Sequence, residues 1–80
     1  MSSIRSLKDI FTEVKHLWPK PYFGAVPYIQ ALSTLDSIED TYGADDARYL
    51  VAYFLSNATS WRGEDARRIK AELKALLGSR

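Results

Sequence analysis

The chain has 80 residues, 11 lysines and arginines against 10 aspartates and glutamates, and no cysteine. That length makes one domain over residues 1–80, and the missing cysteines exclude disulfides and thiolate metal sites. A net charge of +1 leaves no global field to draw the chain to nucleic acid.

A first helix is expected over residues 7–17. Leu7, Ile10, Phe11, Val14, Leu17 and Trp18 recur at the spacing of one helical face. Ser6 stands where a hydroxyl can cap the free amides, with Asp9 three residues on, as in a capping box. Pro19 ends the helix, because the residue before a proline avoids helical angles.

Residues 17–28 read Leu-Trp-Pro-Lys-Pro-Tyr-Phe-Gly-Ala-Val-Pro-Tyr and hold all three prolines of the chain. The stretch is too apolar for a solvated loop and too proline-rich for a helix. Its Pro-Lys-Pro-Tyr part is expected to have polyproline II character. Two readings stay open. Trp18, Tyr22 and Phe23 either fold back to plug one end of a bundle or stay exposed as an aromatic patch for a protein partner, since aromatic residues are enriched at interfaces.

A second helix is expected over residues 27–42. Pro27 suits a first helical position, and Tyr28, Ala31, Leu32, Leu35, Ile38 and Tyr42 form its apolar stripe. Gly43 stands where a left-handed cap belongs. Ser33, Thr34, Asp36 and Ser37 are weak helix formers, and the helix could break there.

A third helix is expected over residues 44–57, with Asp45 and Asp46 at its positive end. Residues 49–55 are apolar nearly all round, which reads as the central, most buried helix. Tyr49 and Tyr53 are expected beside its core face with their hydroxyls at the edge. The run would also suit a strand, but no second strand-like segment exists to pair with it.

A fourth helix is expected over residues 61–77, capped by Ser60, with Ala66, Ile69, Leu73, Leu76 and Leu77 facing inward and Gly78 stopping it. Gly63 costs up to about 1 kcal/mol in a helix, so the start can slip to Glu64. The expected fold is therefore all-α: a compact bundle of three to four helices with a Pro/aromatic crossover between helices 1 and 2. Helix three sits at the centre, and helix one packs on helices three and four.

Charge is unevenly spread. Asp36, Glu39, Asp40, Asp45 and Asp46 lie within eleven residues that hold no base. On the fourth helix Arg67, Lys70 and Lys74 share one face with no acid on the stripe, and Glu64, Arg68 and Glu72 read as a self-satisfied ladder beside it. With Arg62, the three cations form a candidate contact for phosphate or an acidic partner; three charges on a surface helix also arise with no function. A helix-turn-helix over helices three and four, with residues 59–62 leading into the major groove, is opposed by the near-neutral charge, a turn without glycine, and Trp61, which reads as core.

Enzyme chemistry finds little purchase. His16 is the single histidine, and Asp9, Glu13 and His16 read as the wet face of the first helix. No phosphate-cradling glycine loop and no nucleophile–base pair is present, and the acids from 36 to 46 lack calcium-loop spacing. No catalytic residue, cofactor or metal ligand is expected.

The longest apolar run has seven residues, against about 20 for a bilayer span. The N-terminal residues lack a signal-peptide core. A cytoplasmic protein without membrane contact is expected, as a monomer or a weak homodimer.

Residues 19–28, Asp-Thr-Tyr-Gly-Ala-Asp (40–45) and Tyr-Phe-Leu-Ser-Asn-Ala-Thr-Ser-Trp-Arg-Gly (53–63) are similar to segments of small uncharacterised proteins of phages and mobile elements of Gram-positive bacteria. The resemblance covers most of the chain after Trp18 and brings no catalytic residue. It implies a non-enzymatic accessory or regulatory role. The reading is thus a small binding module acting through a protein partner by Trp18, Tyr22 and Phe23. The alternative is a nucleic-acid binder using Arg62, Arg67, Lys70 and Lys74.

Overall fold

The computed structural model describes residues 5–43 and 45–78. Over these residues the chain is a mostly helical bundle with one small antiparallel hairpin, so it is not strictly all-α. The order is α1 (Leu7–Leu17), a 3-10 turn (Phe23–Ala25), α2 (Val26–Leu32), β1 (Thr41–Tyr42), β2 (Asp45–Asp46), α3 (Ala47–Ser56) and α4 (Glu64–Gly78).

The first helix has the expected bounds. The Asp9 amide donates to Ser6 Oγ at 3.1 Å, one of the free N–H groups that a cap exists to satisfy. Leu7, Ile10, Phe11 and Val14 are fully buried. The helix lies against α2 and α4 and reaches α3 through Phe11, whose ring meets Phe54 edge-on at 4.9 Å.

The second helix is shorter than expected and stops at Leu32. The break falls at the flagged polar stretch, where side chains compete for the backbone. Ser33 Oγ donates to the Gln30 carbonyl at 2.8 Å and Thr34 Oγ1 to the Ala31 carbonyl at 2.7 Å. Asp40 accepts from the amides of Asp36 and Ser37 at 3.0 Å each. The freed segment turns back on α1, with the Leu7 amide on the Asp36 carbonyl and the Lys8 amide on that of Leu35. Leu35 thereby stays buried without a helix to carry it.

Beyond it, Thr41 pairs with Asp46 and Tyr42 with Asp45. Gly43 is left-handed as expected (φ 63°), but it serves the hairpin turn, not a helix C-terminus. Tyr42, expected on an apolar helical stripe, is exposed. Asp45 and Asp46 lie in the strand, so α3 begins only at Ala47. Asp46 precedes its first residue without a side-chain capping bond; the Ala47 amide is taken by the Asp40 carbonyl at 2.9 Å.

The third helix buries one side, Ala47, Leu50, Val51 and Phe54. It packs on α2, α4 and the hairpin. Its apolar run is not buried on every side: Tyr49 and Tyr53 are exposed. The fourth helix starts at Glu64, with Gly63 at φ 111° ahead of it. That left-handed angle suits glycine alone and keeps Ser60 and Trp61 outside the helix. Trp61 turns inward and is 5% exposed.

Ion pairs join the helices where the sequence suggested a local ladder. Arg5 contacts Glu13 at 2.7 Å and Glu72 at 2.6 Å, and Arg68 contacts Glu13 at 2.7 Å and Asp65 at 3.3 Å. Glu13, read as wet face, thus links α1 to α4. Arg48 spans Glu39 at 3.2 Å and the Leu77 carbonyl at 3.2 Å, tying the hairpin side of α3 to the end of α4.

Candidate functional site

The crossover divides between the two readings held open for it. Trp18 goes inward. Its indole stacks on Trp61 with centroids 5.3 Å apart and planes 6° from parallel, and meets Phe54 edge-on at 6.3 Å. Tyr22 and Phe23 stay outside, 47% and 78% exposed. Trp18 is therefore half-buried and takes the plug side of the two readings, while Tyr22 and Phe23 form the exposed part.

The cause is the corner that follows Pro21. Tyr22 is extended (φ −55°, ψ 133°) and the chain then enters the 3-10 turn, closed by the Ala25 amide on the Tyr22 carbonyl at 2.8 Å. Ala25 is fully buried and anchors the turn. The two rings ahead of it lie against each other with centroids 4.8 Å apart.

Gly24 sets how closely this corner meets α3. A β-carbon there would stand 2.6 Å from the Tyr22 ring and 2.8 Å from Asn57 Oδ1, so only glycine fits without displacement. Asn57 in turn donates from Nδ2 to the Tyr53 carbonyl at 2.8 Å. Tyr53 lies 5.7 Å from Tyr28, and Tyr49 stands one turn back on the same helix. Tyr49 and Tyr53 are 62% and 52% exposed, which corrects their expected place beside the core. Two aromatic pairs thus flank Asn57 at the end of α3, Phe23 with Tyr22 and Tyr53 with the half-buried Tyr28, and Tyr49 follows one turn back. Exposed apolar surface of this kind marks interaction sites. The sequence carried a signal for it: Tyr49 and Tyr53 are four apart on one side of the helix, opposite Val51.

The basic residues gather elsewhere. A cavity of about 300 Å³ is lined by Trp61, Arg62, Gly63, Ala66, Arg67 and Lys70. Lys70 Nζ donates to the Trp61 carbonyl at 2.6 Å. Burial, then Lys74 and Arg62, lower the Lys70 pKa. Among the described residues every ion pair uses Arg5, Arg48 or Arg68, and none engages Arg62, Arg67, Lys70 or Lys74. The structure brings Arg62, Arg67 and Lys70 around one hollow, with Lys74 close to Lys70.

For a helix-turn-helix, Trp61 would have to lead toward DNA; stacked on Trp18 it faces the core. Among the described residues no group of three metal-ligating side chains comes together, and no helix is long and apolar enough to cross a membrane. No protein-family model, curated protein or solved structure matches the chain.

Proposed function

We propose that this chain is a small non-enzymatic binding module that acts through a protein partner, held on the face formed by Phe23, Tyr22, Tyr53, Tyr28 and Tyr49. The observation that carries the reading is Phe23. It is 78% exposed on a corner fixed by Pro21 and a hydrogen-bonded turn, so little backbone freedom is lost on docking. Rigid aromatic anchors of this kind supply most of the binding energy in protein interfaces. Burying one such ring stabilises a complex by roughly 1.5–3 kcal/mol.

The partner's chemistry follows from the charge around the face. Asp45 and Asp46 lie exposed at the Tyr49 end of α3. A partner with an apolar centre and a basic rim complements that arrangement. The accessory or regulatory role implied by the resemblance to phage and mobile-element proteins is of the same kind.

The test is capture of a partner from the source cell by the immobilised full chain, followed by measurement of that purified partner's affinity. Phe23→Ala and Tyr22→Ser are expected to abolish binding, while Arg67→Gln keeps it. Binding that survives both aromatic substitutions overturns the reading. Loss with Arg67→Gln alone would favour the alternative, a nucleic-acid binder using Arg62, Arg67, Lys70 and Lys74, which join no ion pair among the described residues.

A further inference from the structure

Among the described residues, four cations on one side of a near-neutral chain join no ion pair, and they call for an account. Arg62, Arg67 and Lys70 surround the hollow beside Trp61, and Lys74 is near enough to Lys70 to disfavour its charge. Glu64 and Asp65 stand at the same end of α4, yet Asp65 turns to Arg68 at 3.3 Å and Glu64 joins none of the ion pairs above. Like charges held together without an acid repel, and nothing in the packing requires them: Arg62 and Arg67 are exposed.

We infer that this hollow binds a single phosphate dianion, free or as the terminal group of a small phosphomonoester. The geometry suits one tetrahedral oxyanion. Arg62 and Arg67 can each offer a planar fork of N–H donors, the arrangement that pairs with phosphate oxygens two at a time. Lys70 spends one proton on the Trp61 carbonyl at 2.6 Å, which positions its ammonium at the wall and leaves two protons for a ligand. At about 300 Å³ the space sits at the lower end of ordinary ligand pockets. A dianion placed there offsets the mutual repulsion that the protein itself leaves uncompensated.

Nucleic acid is the less favoured occupant. Three of the cations line one hollow, and the net charge is +1. Trp61 lines the hollow but is stacked on Trp18, so its ring face is closed to a base. The site lies apart from the aromatic face and does not depend on the protein-partner reading.

The experiment is calorimetric titration of the full chain with inorganic phosphate at constant ionic strength, with the same titration followed by tryptophan fluorescence. Random duplex DNA is titrated in parallel. Saturable one-to-one binding of phosphate is expected, weakened at least about tenfold by Arg67→Gln and by Lys70→Gln, and unchanged by Lys20→Gln on the crossover. Should Lys70→Gln unfold the chain by orphaning the Trp61 carbonyl, Arg67→Gln decides alone, because that side chain is exposed. Absence of saturable phosphate binding overturns the inference, as does binding that survives Arg67→Gln. So does tight, salt-sensitive DNA binding that phosphate fails to displace; that result assigns the cations to a nucleic-acid backbone.

Discussion

Trp18 and Trp61 stack with centroids 5.3 Å apart and planes 6° from parallel, joining the start of the Pro/aromatic crossover to the segment before α4. One ring comes from the end of α1 and the other from the α3–α4 connection. Both also meet Phe54 edge-on, at 6.3 Å and 6.5 Å. Trp61→Ala is expected to cost about 3–5 kcal/mol. In a double-mutant cycle with Trp18→Ala the pair should couple by roughly 0.5–1.5 kcal/mol. Additive losses in urea unfolding would show that the rings fill space independently.

Phe54 lies fully buried where α1, α3 and both indoles meet, and Leu50 is one turn before it. Phe54→Ala should cost about 3–5 kcal/mol and Leu50→Ala about 2–5 kcal/mol. Losses of that size rival the whole stability of a small domain, on the order of 5–10 kcal/mol, so Phe54→Ala is expected to be largely unfolded by circular dichroism. A mild loss at both positions would refute the placing of this part of α3 in the core.

Phe23→Ala should behave in the opposite way. An exposed ring with no burial to lose changes stability by no more than about 0.5 kcal/mol, so its melting temperature should match the parent while partner binding disappears. A marked fall in melting temperature would mean that Phe23 supports the fold.

Gly24→Ala tests how the aromatic face is assembled. Its β-carbon would collide with the Tyr22 ring and Asn57 Oδ1. Both are side chains at the surface and can move, so the chain should stay folded while the Tyr22 ring shifts off Phe23. The readout is the set of ring contacts seen by NMR between residues 22 and 23. Unchanged contacts would contradict the close approach of this corner to α3.

Glu13 titrates below its ordinary value of 4.5 because Arg68, and then Arg5, donate hydrogen bonds to its carboxylate. Between that depressed value and 4.5 the folded state binds fewer protons than the unfolded chain, so stability rises with pH across this window. The contribution is complete above the window and is lost as pH falls through the folded value. Glu13→Gln should therefore melt below the parent at neutral pH, with the gap closing as pH falls through the depressed folded value. A gap independent of pH would remove the ionic contribution.

The helices were legible where a single physical signal decided them. Ser6, the spacing of Leu7, Ile10, Phe11 and Val14, and Pro19 define α1 from local chemistry alone. Gly63 likewise announced that α4 would begin late. The second helix was misjudged in length because its apolar spacing runs on past Leu32. Whether Ser33 and Thr34 bond their own backbone or extend a helix depends on where residues 35 and 36 can dock, and that docking is on α1. The same holds for Glu64, Arg68 and Glu72: i, i+4 spacing suggested a ladder within α4, but Arg68 reaches Glu13 on α1 and Glu72 is taken by Arg5, a choice set by how α1 and α4 meet. For Trp18, Tyr22 and Phe23 composition left plug and exposed patch both open; Tyr22 and Phe23 lie exposed and Trp18 half-buried, a division that no local signal separates.

The sequence by itself determined that the chain is helical, that its core draws on Phe11, Leu50, Phe54, Ile69 and Leu73, and that an aromatic crossover and a basic stripe stand out from it. These follow from periodicity, capping and proline geometry, which act over a few residues. Only the tertiary structure decided which aromatic rings are plug and which are surface, that the Tyr49 and Tyr53 side of α3 lies open, and that Arg62, Arg67 and Lys70 close around one hollow. Those outcomes depend on which surfaces of distant segments meet. Burial is a property of that meeting, not of any residue type.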